Sequence, residues 1–255
     1  MRFTRRRRTT CLALCSTVAV SLSACGSAAT PTGQANAGST VSTTRAFSSA
    51  PSAVTIYYQF RKSIKTSTSV HIKASYTDQG HQVRLDIAGD TDGRTSRAFM
   101  SDSHGEFEVL NVDGTTYLKA GAAYWTKNGS AAMAKIAAGR YFKAPVGLIP
   151  GIDDLKVRPL MDKLFAEDMS SADKVDTTVG TTDVDGVPAY LLTTSNGQGT
   201  KVYVSTDAER RLLRVVTPKK HDGTLNFGEG TLNFSEWDAV APVSAPHRIL
   251  QIPGF

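Results

Sequence analysis

The spacing of apolar residues changes from a helical period to a strand period near residue 67. One apolar stripe recurs every three to four residues between positions 51 and 65, as on one side of a helix. Its members are Ala53, Ile56, Tyr57, Phe60 and Ile64. From residue 70 to residue 119, apolar and polar residues alternate in five segments, separated by turn formers such as Asp92-Gly93 and Asp113-Gly114. Because no helical stretch separates these segments, they predict an antiparallel meander.

Two short helices and a second set of strands are predicted to follow. Residues 130–138 are rich in alanine and end at Gly139, a good residue for closing a helix. Residues 159–169 carry apolar side chains on one side. Alternation returns in segments 175–184, 187–194, 200–205, 212–216, 224–227 and 231–236. A sheet of about ten strands has to curl. The pattern therefore predicts an α+β fold, a highly curved antiparallel half-barrel of about 10–11 strands with a few helices over its concave face.

The first 24 residues have the three-part pattern of a secretory signal peptide. Arginines at positions 2 and 5–8 precede an apolar run from residue 11 to residue 22. That run is shorter than the roughly 20 residues of a membrane-spanning helix. The following Leu-Ser-Ala-Cys resembles the lipobox of bacterial lipoproteins, which implies cleavage between Ala24 and Cys25 and a diacylglyceryl group on Cys25. An ordinary secretory peptide, with Cys25 incidental, is the alternative.

The composition after the cleavage site predicts a tether and then one domain. Residues 25–50 consist almost entirely of small and polar residues with a single charge at Arg45, so they are expected to be disordered. About 25 such residues reach roughly 25–30 Å. Residues 51–246 are enough for one domain with its own core. Residues 247–255 would be a C-terminal tail, either disordered or an apolar strip packed on the domain.

Charge and cysteine content narrow the function classes. The whole chain has a net charge of +6 and a pI of about 9.2, which suggests a nucleic-acid ligand. Five of its arginines lie in the leader, however, and the remaining chain has 24 basic against 23 acidic residues. A nearly neutral domain lacks the charge that binds phosphate backbones, so no nucleic-acid partner is expected. Cys11 and Cys15 would leave with the leader and Cys25 would carry lipid, so no disulfide is expected.

Short motifs in a fixed order carry a family resemblance over residues 52–246. They are SVHIK at 69–73, VDGTTY at 112–117 before Tyr124-Trp125, YFK at 141–143, DGVPAY at 185–190, and FSEW at 234–237 before Pro242 and Pro246. Behind a lipobox and a polar tether, this order resembles the LppX/LprA/LprF/LprG family of actinobacterial lipoproteins, whose fold is similar to the carriers LolA and LolB. The resemblance implies a half-barrel capped by helices, with an apolar cavity for acyl chains. It also implies a carrier of lipids or glycolipids in the cell envelope, anchored on the outer face of the cytoplasmic membrane.

Alternating positions of such a half-barrel, with the apolar sides of the helices, give the candidate cavity-lining residues. They are Ile56, Phe60, Ile72, Leu85, Phe99, Val109, Tyr117, Met161, Phe165, Tyr203 and Val215. Residues 145–152 form an apolar loop bounded by prolines, and its Val146, Leu148 and Ile149 are the candidate entrance. The expected partners are an acylated lipid or glycolipid, the membrane through Cys25, and an envelope transporter or cell-wall partner; the protein is expected to be a monomer. The same side chains could instead fill a dry core. The alternative function is therefore a tethered interaction or sensor module, with Trp125 or Trp237 as a contact anchor.

Catalytic and metal-binding patterns are weak in this sequence. The motifs of serine hydrolases, zinc proteases and P-loop enzymes are absent. His81, His104 and Asp102 could bind a metal only if their hairpins meet, and they lack the spacing of a metal motif. The pair Asp153-Asp154 is expected to cap a turn. We expect no enzymatic activity, no cofactor and no metal.

Overall fold

The computed structural model of the chain describes residues 51–78, 80–145, 148, 152–165, 177–194, 199–218 and 229–251. The lipobox with Ala24 and Cys25, segment 25–50, Val146, Ile149, the strand predicted at 224–227 and residues 252–255 lie outside the described residues. Interpretations of those segments stay predictions. None of the helices described is both long enough and apolar enough to cross a membrane.

The described residues form four α-helices and twelve β-strands. The helices are α1 (Ala53–Thr66), α2 (Ala122–Asn128), α3 (Ala131–Ala137) and α4 (Val157–Leu164), with a 3₁₀ turn at Ile152–Leu155. The strands before α4 are β1 (Ser69–Asp78), β2 (His81–Asp90), β3 (Thr95–Asp102), β4 (Gly105–Val112), β5 (Thr115–Ala120) and β6 (Tyr141–Lys143). Those after it are β7 (Thr177–Val184), β8 (Val187–Thr194), β9 (Lys201–Ser205), β10 (Leu212–Thr217), β11 (Gly230–Ser235) and β12 (Ile249–Leu250).

All twelve strands belong to one open, curved sheet in the order β12-β6-β5-β4-β3-β2-β1-β11-β10-β9-β8-β7. Every neighbouring pair is antiparallel except β12 with β6, which is parallel. The predicted fold class is confirmed. The strand total exceeds the 10–11 predicted because β6 and β12 have three and two residues, too few to show an alternating pattern.

Helix α1 begins and packs as its sequence predicts. The Ser52 side chain caps its first turn, accepting a hydrogen bond from the Thr55 backbone N–H at 3.2 Å. The stripe formed by Ala53, Ile56, Phe60 and Ile64 is buried against the sheet. A single apolar side of α1 therefore fixes the helix on the sheet.

The strand register separates an apolar inner face from a more polar outer face. One inner row runs through Phe142, Leu118, Val109, Ala98, Ile87, Ile72 and Phe234. A second runs through Ala120, Phe107, Met100, Leu85, Ala74, Leu232, Val215, Val202 and Leu192. These side chains form one core with residues from all four helices. The inner face is thus the side of the sheet that the helices cover.

An ion-pair group on the outer face joins β3, β4 and β5. The Glu108 carboxylate forms an ion pair with Arg97 Nε at 3.1 Å and another with the Lys119 ammonium. Burial by itself raises the pKa of Glu108, but hydrogen bonds from Lys119 and Tyr141 and the charges of Lys119 and Arg97 outweigh it. The net result is a pKa below the usual value of 4.5. The ionised carboxylate therefore stabilises the folded chain.

We expect Glu108→Gln to lower the free energy of unfolding at pH 7 by about 1–2 kcal/mol. Because the folded pKa lies below the unfolded one, this contribution is present above pH 4.5 and is lost as the pH falls through the folded value. Urea unfolding of the wild type and of Glu108→Gln should give different free energies of unfolding at pH 7. The difference should be smaller at about pH 3. Glu106→Gln is the matched control, since Glu106 is exposed on the same strand and has no ion pair among the described residues. A Glu108→Gln deficit that did not change with pH would contradict this account.

Candidate functional site

Most of the predicted lining residues come together on the inner face. Eight of the eleven belong to the core between the sheet and the helices: Ile56, Phe60, Ile72, Leu85, Val109, Met161, Phe165 and Val215. They come from α1, β1, β2, β4, β10, α4 and the residue that ends α4. Residues from both halves of the chain therefore meet in one apolar interior.

Phe99 lies on the outer face, so its prediction as a cavity-lining residue is wrong. It pairs across the sheet with Asp86 and Glu108, which belong to the outer face. Its neighbours Ala98 and Met100 take the inner positions instead. The three residues form a continuous apolar run, so alternation does not show which of them point inward. A shift of one residue exchanges the inner and outer faces of the strand.

Tyr117 and Tyr203 are corrected for the same reason. Tyr117 stands beside Leu118 on β5, and it is Leu118 that is fully buried in the core. Tyr203 lies between two core valines on β9 and pairs with Arg214 on the outer face. In both strands the inner positions belong to the smaller neighbours of the aromatic residue, Leu118 in β5 and the two valines in β9.

Four side chains of the core between the sheet and the helices border no water-sized space. Ile56, Ile72, Val109 and Val215 each expose 0% of their surface. A side chain that borders a water-sized void exposes surface to it, so these four are enclosed by other atoms on every side. Space for a ligand beside these four side chains would require part of the helical cover to move.

Helix α4 is the part of that cover that follows the predicted entrance loop along the chain. It has eight residues, and its N-cap residue Lys156 makes no side-chain capping bond. A helix of this length is not stable by itself, so its contacts with the core hold it in place. Half-buried apolar side chains precede and follow α4 in the chain, and all of them pack against the core: Leu148, Ile152, Leu155 and Phe165. Leu148, one of three predicted entrance residues, is the only one of them described, and it lies in this group.

An indole N–H of the interior has no partner. Trp125 on α2 is 5% exposed and packs between Tyr124 and Phe142, with ring centroids at 5.5 and 5.6 Å. Its Nε1 is buried and donates no hydrogen bond within the structure described. By contrast, Trp237 donates from Nε1 to the Leu212 carbonyl at 2.9 Å. Buried donors are nearly always satisfied, and an unmade bond costs about 1–3 kcal/mol.

The candidate metal and catalytic groups do not assemble. The described part of the chain contains no set of three or more His, Cys, Asp or Glu side chains suited to a metal ion. His104 contacts Asp102 at 3.2 Å within one turn, and His81 opens β2 opposite Asp78. Asp153-Asp154 falls in the 3₁₀ turn.

One polar group was not foreseen from the sequence. The His71 ring lies on the outer face between Asp86 at 2.8 Å and Glu236 at 3.0 Å. The three residues lie on or beside β2, β1 and β11, which become neighbours only in the folded sheet. Both ring nitrogens contact a carboxylate, so the ring is held between two strands that neighbour its own. These contacts connect β1 to β2 and to the end of β11.

Comparisons with solved structures give similar folds, two of which are described here. No family profile matches the sequence, and no curated protein matches it. The lipoprotein LppX of Mycobacterium tuberculosis is similar at 12% identity, with 75% of this chain and 97% of LppX covered and a TM-score of 0.44. An uncharacterized conserved protein from Thermus thermophilus is similar at 12% identity, with 74% and 88% covered and a TM-score of 0.35. The function therefore has to be inferred from the chain's own residues.

Proposed function

We propose that this protein is an extracytoplasmic lipoprotein that binds an acylated lipid between the inner face of the sheet and the helices, and carries it within the envelope without catalysis. The orphaned Trp125 N–H beside an otherwise apolar interior is the observation that supports this function. A purely structural core loses stability by burying an unsatisfied donor. The ester carbonyl of an acyl chain offers one acceptor next to hydrocarbon, which matches a single N–H among apolar side chains.

In this proposal α4 is the part of the cover that moves. An acyl chain that displaces α4 would replace the apolar contacts of the helix with its own apolar contacts. The free-energy change of this exchange is therefore small. The Phe165 ring, 5.5 Å from the Phe60 ring, marks the contact with α1 that has to open. The half-buried side chains around α4 would then become the entrance.

Anchoring and domain organisation belong to the same proposal. Cys25 would carry the diacylglyceryl group after cleavage behind Ala24, and residues 25–50 would tether one domain to the outer face of the cytoplasmic membrane. This placement would give a monomeric carrier access to membrane lipid and to an envelope transporter or cell-wall partner. The support is the lipobox and the composition of the tether.

The deciding experiment is native mass spectrometry of the full chain purified in mild detergent, followed by organic extraction. We expect an added mass that extracts as a di- or triacyl species. Trp125→Phe removes the donor and keeps a single aromatic ring, so it should retain at least about fivefold less lipid, the effect of roughly one hydrogen bond. The smaller ring leaves a void, so the free energy of unfolding is measured beside the lipid content. Trp237→Phe is the control: it breaks a satisfied bond to the Leu212 carbonyl and should lose stability but not lipid. Lipid content unchanged in Trp125→Phe would overturn the assigned role of this donor.

Substitutions inside the core have to separate binding from folding. Leu85 is 4% exposed, so Leu85→Asp would bury an unpaired carboxylate and test folding. Phe165 is half-buried, so an arginine there can reach solvent, and Phe165→Arg should abolish lipid retention in a folded protein. Wild-type lipid content in folded Phe165→Arg would contradict the placement of the ligand under α4.

The full enclosure of Ile56, Ile72, Val109 and Val215 favours a second function, a tethered interaction or sensor module. A chain that stayed free of lipid after incubation with envelope lipids would support it. Trp125 is too buried to be a contact anchor. The exposed apolar side chains available for that role in the described residues are Tyr58, Ile136 and Val187.

A further inference from the structure

A surface depression of about 430 Å³ lies between α1 and the turn that joins β9 to β10. Its lining consists of Gln59, Lys62, Ser63 and Thr66 from α1 and of Ala208, Glu209, Arg210 and Arg211 from the turn. Helix α1 contains two lysines and one arginine and no acidic residue. The depression is therefore bordered by a helix with uncompensated positive charge.

The Arg210 side chain is fixed at the edge of this depression. Its Nε donates to Gln59 Oε1 at 3.1 Å, and its guanidinium lies over the Tyr190 ring, 5.0 Å from the centroid. Its carbonyl accepts from Ser63 Oγ at 3.1 Å. The backbone of Arg210 is left-handed, with φ at 52°, a conformation that persists in such a residue only when the surroundings enforce it.

The acidic groups nearby are already occupied. Glu209 binds the Arg211 side chain at 2.9 Å, and Arg211 also pairs with Asp238. The Asp207 carboxylate accepts from Ser205 Oγ and from the backbone N–H groups of residues 209 and 210, so it closes the turn. No carboxylate among the described residues pairs with Arg210. Lys62 is exposed, and its ammonium has no partner in the described part of the chain.

We propose that this depression binds a phosphate group. Three donors bordering it have no acceptor among the described residues: Arg210 Nη2, Lys62 Nζ and Gln59 Nε2. The Gln59 carbonyl oxygen is taken by Arg210, which leaves its NH₂ group to donate to a ligand. A phosphate has several acceptor oxygens and negative charge, and it suits one guanidinium NH₂ group, one ammonium and one amide. The other nitrogens of Arg210 are already used: Nε donates to Gln59 and Nη1 to the carbonyls of Thr206 and Asp207. Its source is either a lipid headgroup or a free phosphate.

Calorimetric titration of the full chain in non-ionic detergent separates the two sources. The probes are inorganic phosphate, dihexanoyl phosphatidylglycerol below its micelle concentration, and dihexanoylglycerol, which lacks phosphate. A free-phosphate site binds the first two equally, whereas a headgroup site binds phosphatidylglycerol much more tightly. Tighter binding of phosphatidylglycerol is the one outcome that rests on the proposed lipid function. A site that bound inorganic phosphate in a chain free of lipid would support this inference while the carrier function failed.

Substitutions localise the binding. Lys62→Gln and Arg210→Gln should each weaken the bound phosphate probe about tenfold, the effect of losing one charge-assisted hydrogen bond. Lys65→Gln removes the same charge from an exposed position of α1 outside the lining, and should change the affinity less than about twofold. Since Lys62 is exposed, its variant should fold even if Arg210→Gln does not. The proposal is overturned if neither phosphate probe binds, or if Lys62→Gln and Lys65→Gln weaken binding equally.

Discussion

Phe60→Ala is expected to lower the free energy of unfolding by about 3–5 kcal/mol. The Phe60 side chain is 1% exposed, and its ring contacts Tyr57 and Phe165 edge to face at 5.1 and 5.5 Å. Removing the ring loses its burial and leaves a cavity where α1 meets the end of α4, because the neighbouring rings can only partly close the space. Urea unfolding followed by circular dichroism measures the loss.

Tyr58→Ala is the matched control, two residues away on the same helix. Tyr58 is 48% exposed, so its truncation should cost less than about 1 kcal/mol. Equal losses at the two positions would contradict the packing of α1 described here. In the proposed carrier, Phe60→Ala also weakens the contact that holds α4, so lipid exchange should be faster than in the wild type. A rigid filled core would lose stability without that change in exchange.

The elements that the sequence could predict are those that local chemistry determines. Alternation in β1 buries Val70, Ile72 and Ala74, as its period requires. The hairpin at Asp113-Gly114 has positive φ at both residues, 47° and 79°, the geometry that Asp-Gly favours between strands. Each of these decisions depends on residues that are close in sequence.

Elements that depend on distant partners could not be predicted. The two residues of β12, inside the predicted tail, pair in parallel with β6 more than 100 positions earlier. Helix α2 was missed because it begins after Gly121, with no side-chain cap to mark its start. In β3, β5 and β9, a continuous run of apolar residues does not show which side chains point inward. The predictions for Phe99, Tyr117 and Tyr203 were wrong for this reason.

The candidate sites show the same limit more strongly. Arg210 meets Gln59 across 151 positions, and neither residue belongs to a motif. Trp125 appears in the sequence as an ordinary aromatic residue, and only the packed interior shows that its N–H has no acceptor. The apolar inner face follows from the pattern of the strands. The polar features that suggest ligands depend on tertiary contacts.

Gly89→Ala is expected to lower the free energy of unfolding by about 3 kcal/mol. Gly89 lies in β2 between β1 and β3, where it pairs with Val70 and Ser96. A Cβ at this position would be 2.6 Å from Ser96 Cα and 2.7 Å from Ser96 Cβ, and closer still to the Thr95 carbonyl oxygen. Most of these atoms are backbone, so β3 would have to move away from the middle of the sheet.

Gly180→Ala tests whether this cost comes from the close approach or from replacing any strand glycine. Gly180 lies in β7, and its added Cβ would meet nothing nearer than the Leu191 carbonyl oxygen at 4.0 Å. Alanine restricts the unfolded chain more than glycine does, so this variant should be neutral or slightly more stable, by up to about 1 kcal/mol. Thermal unfolding of both variants makes the comparison. Equal effects at the two positions would mean that β2 and β3 are not as close as described, and the register that places Leu85 and Ile87 on the inner face would have to be revised.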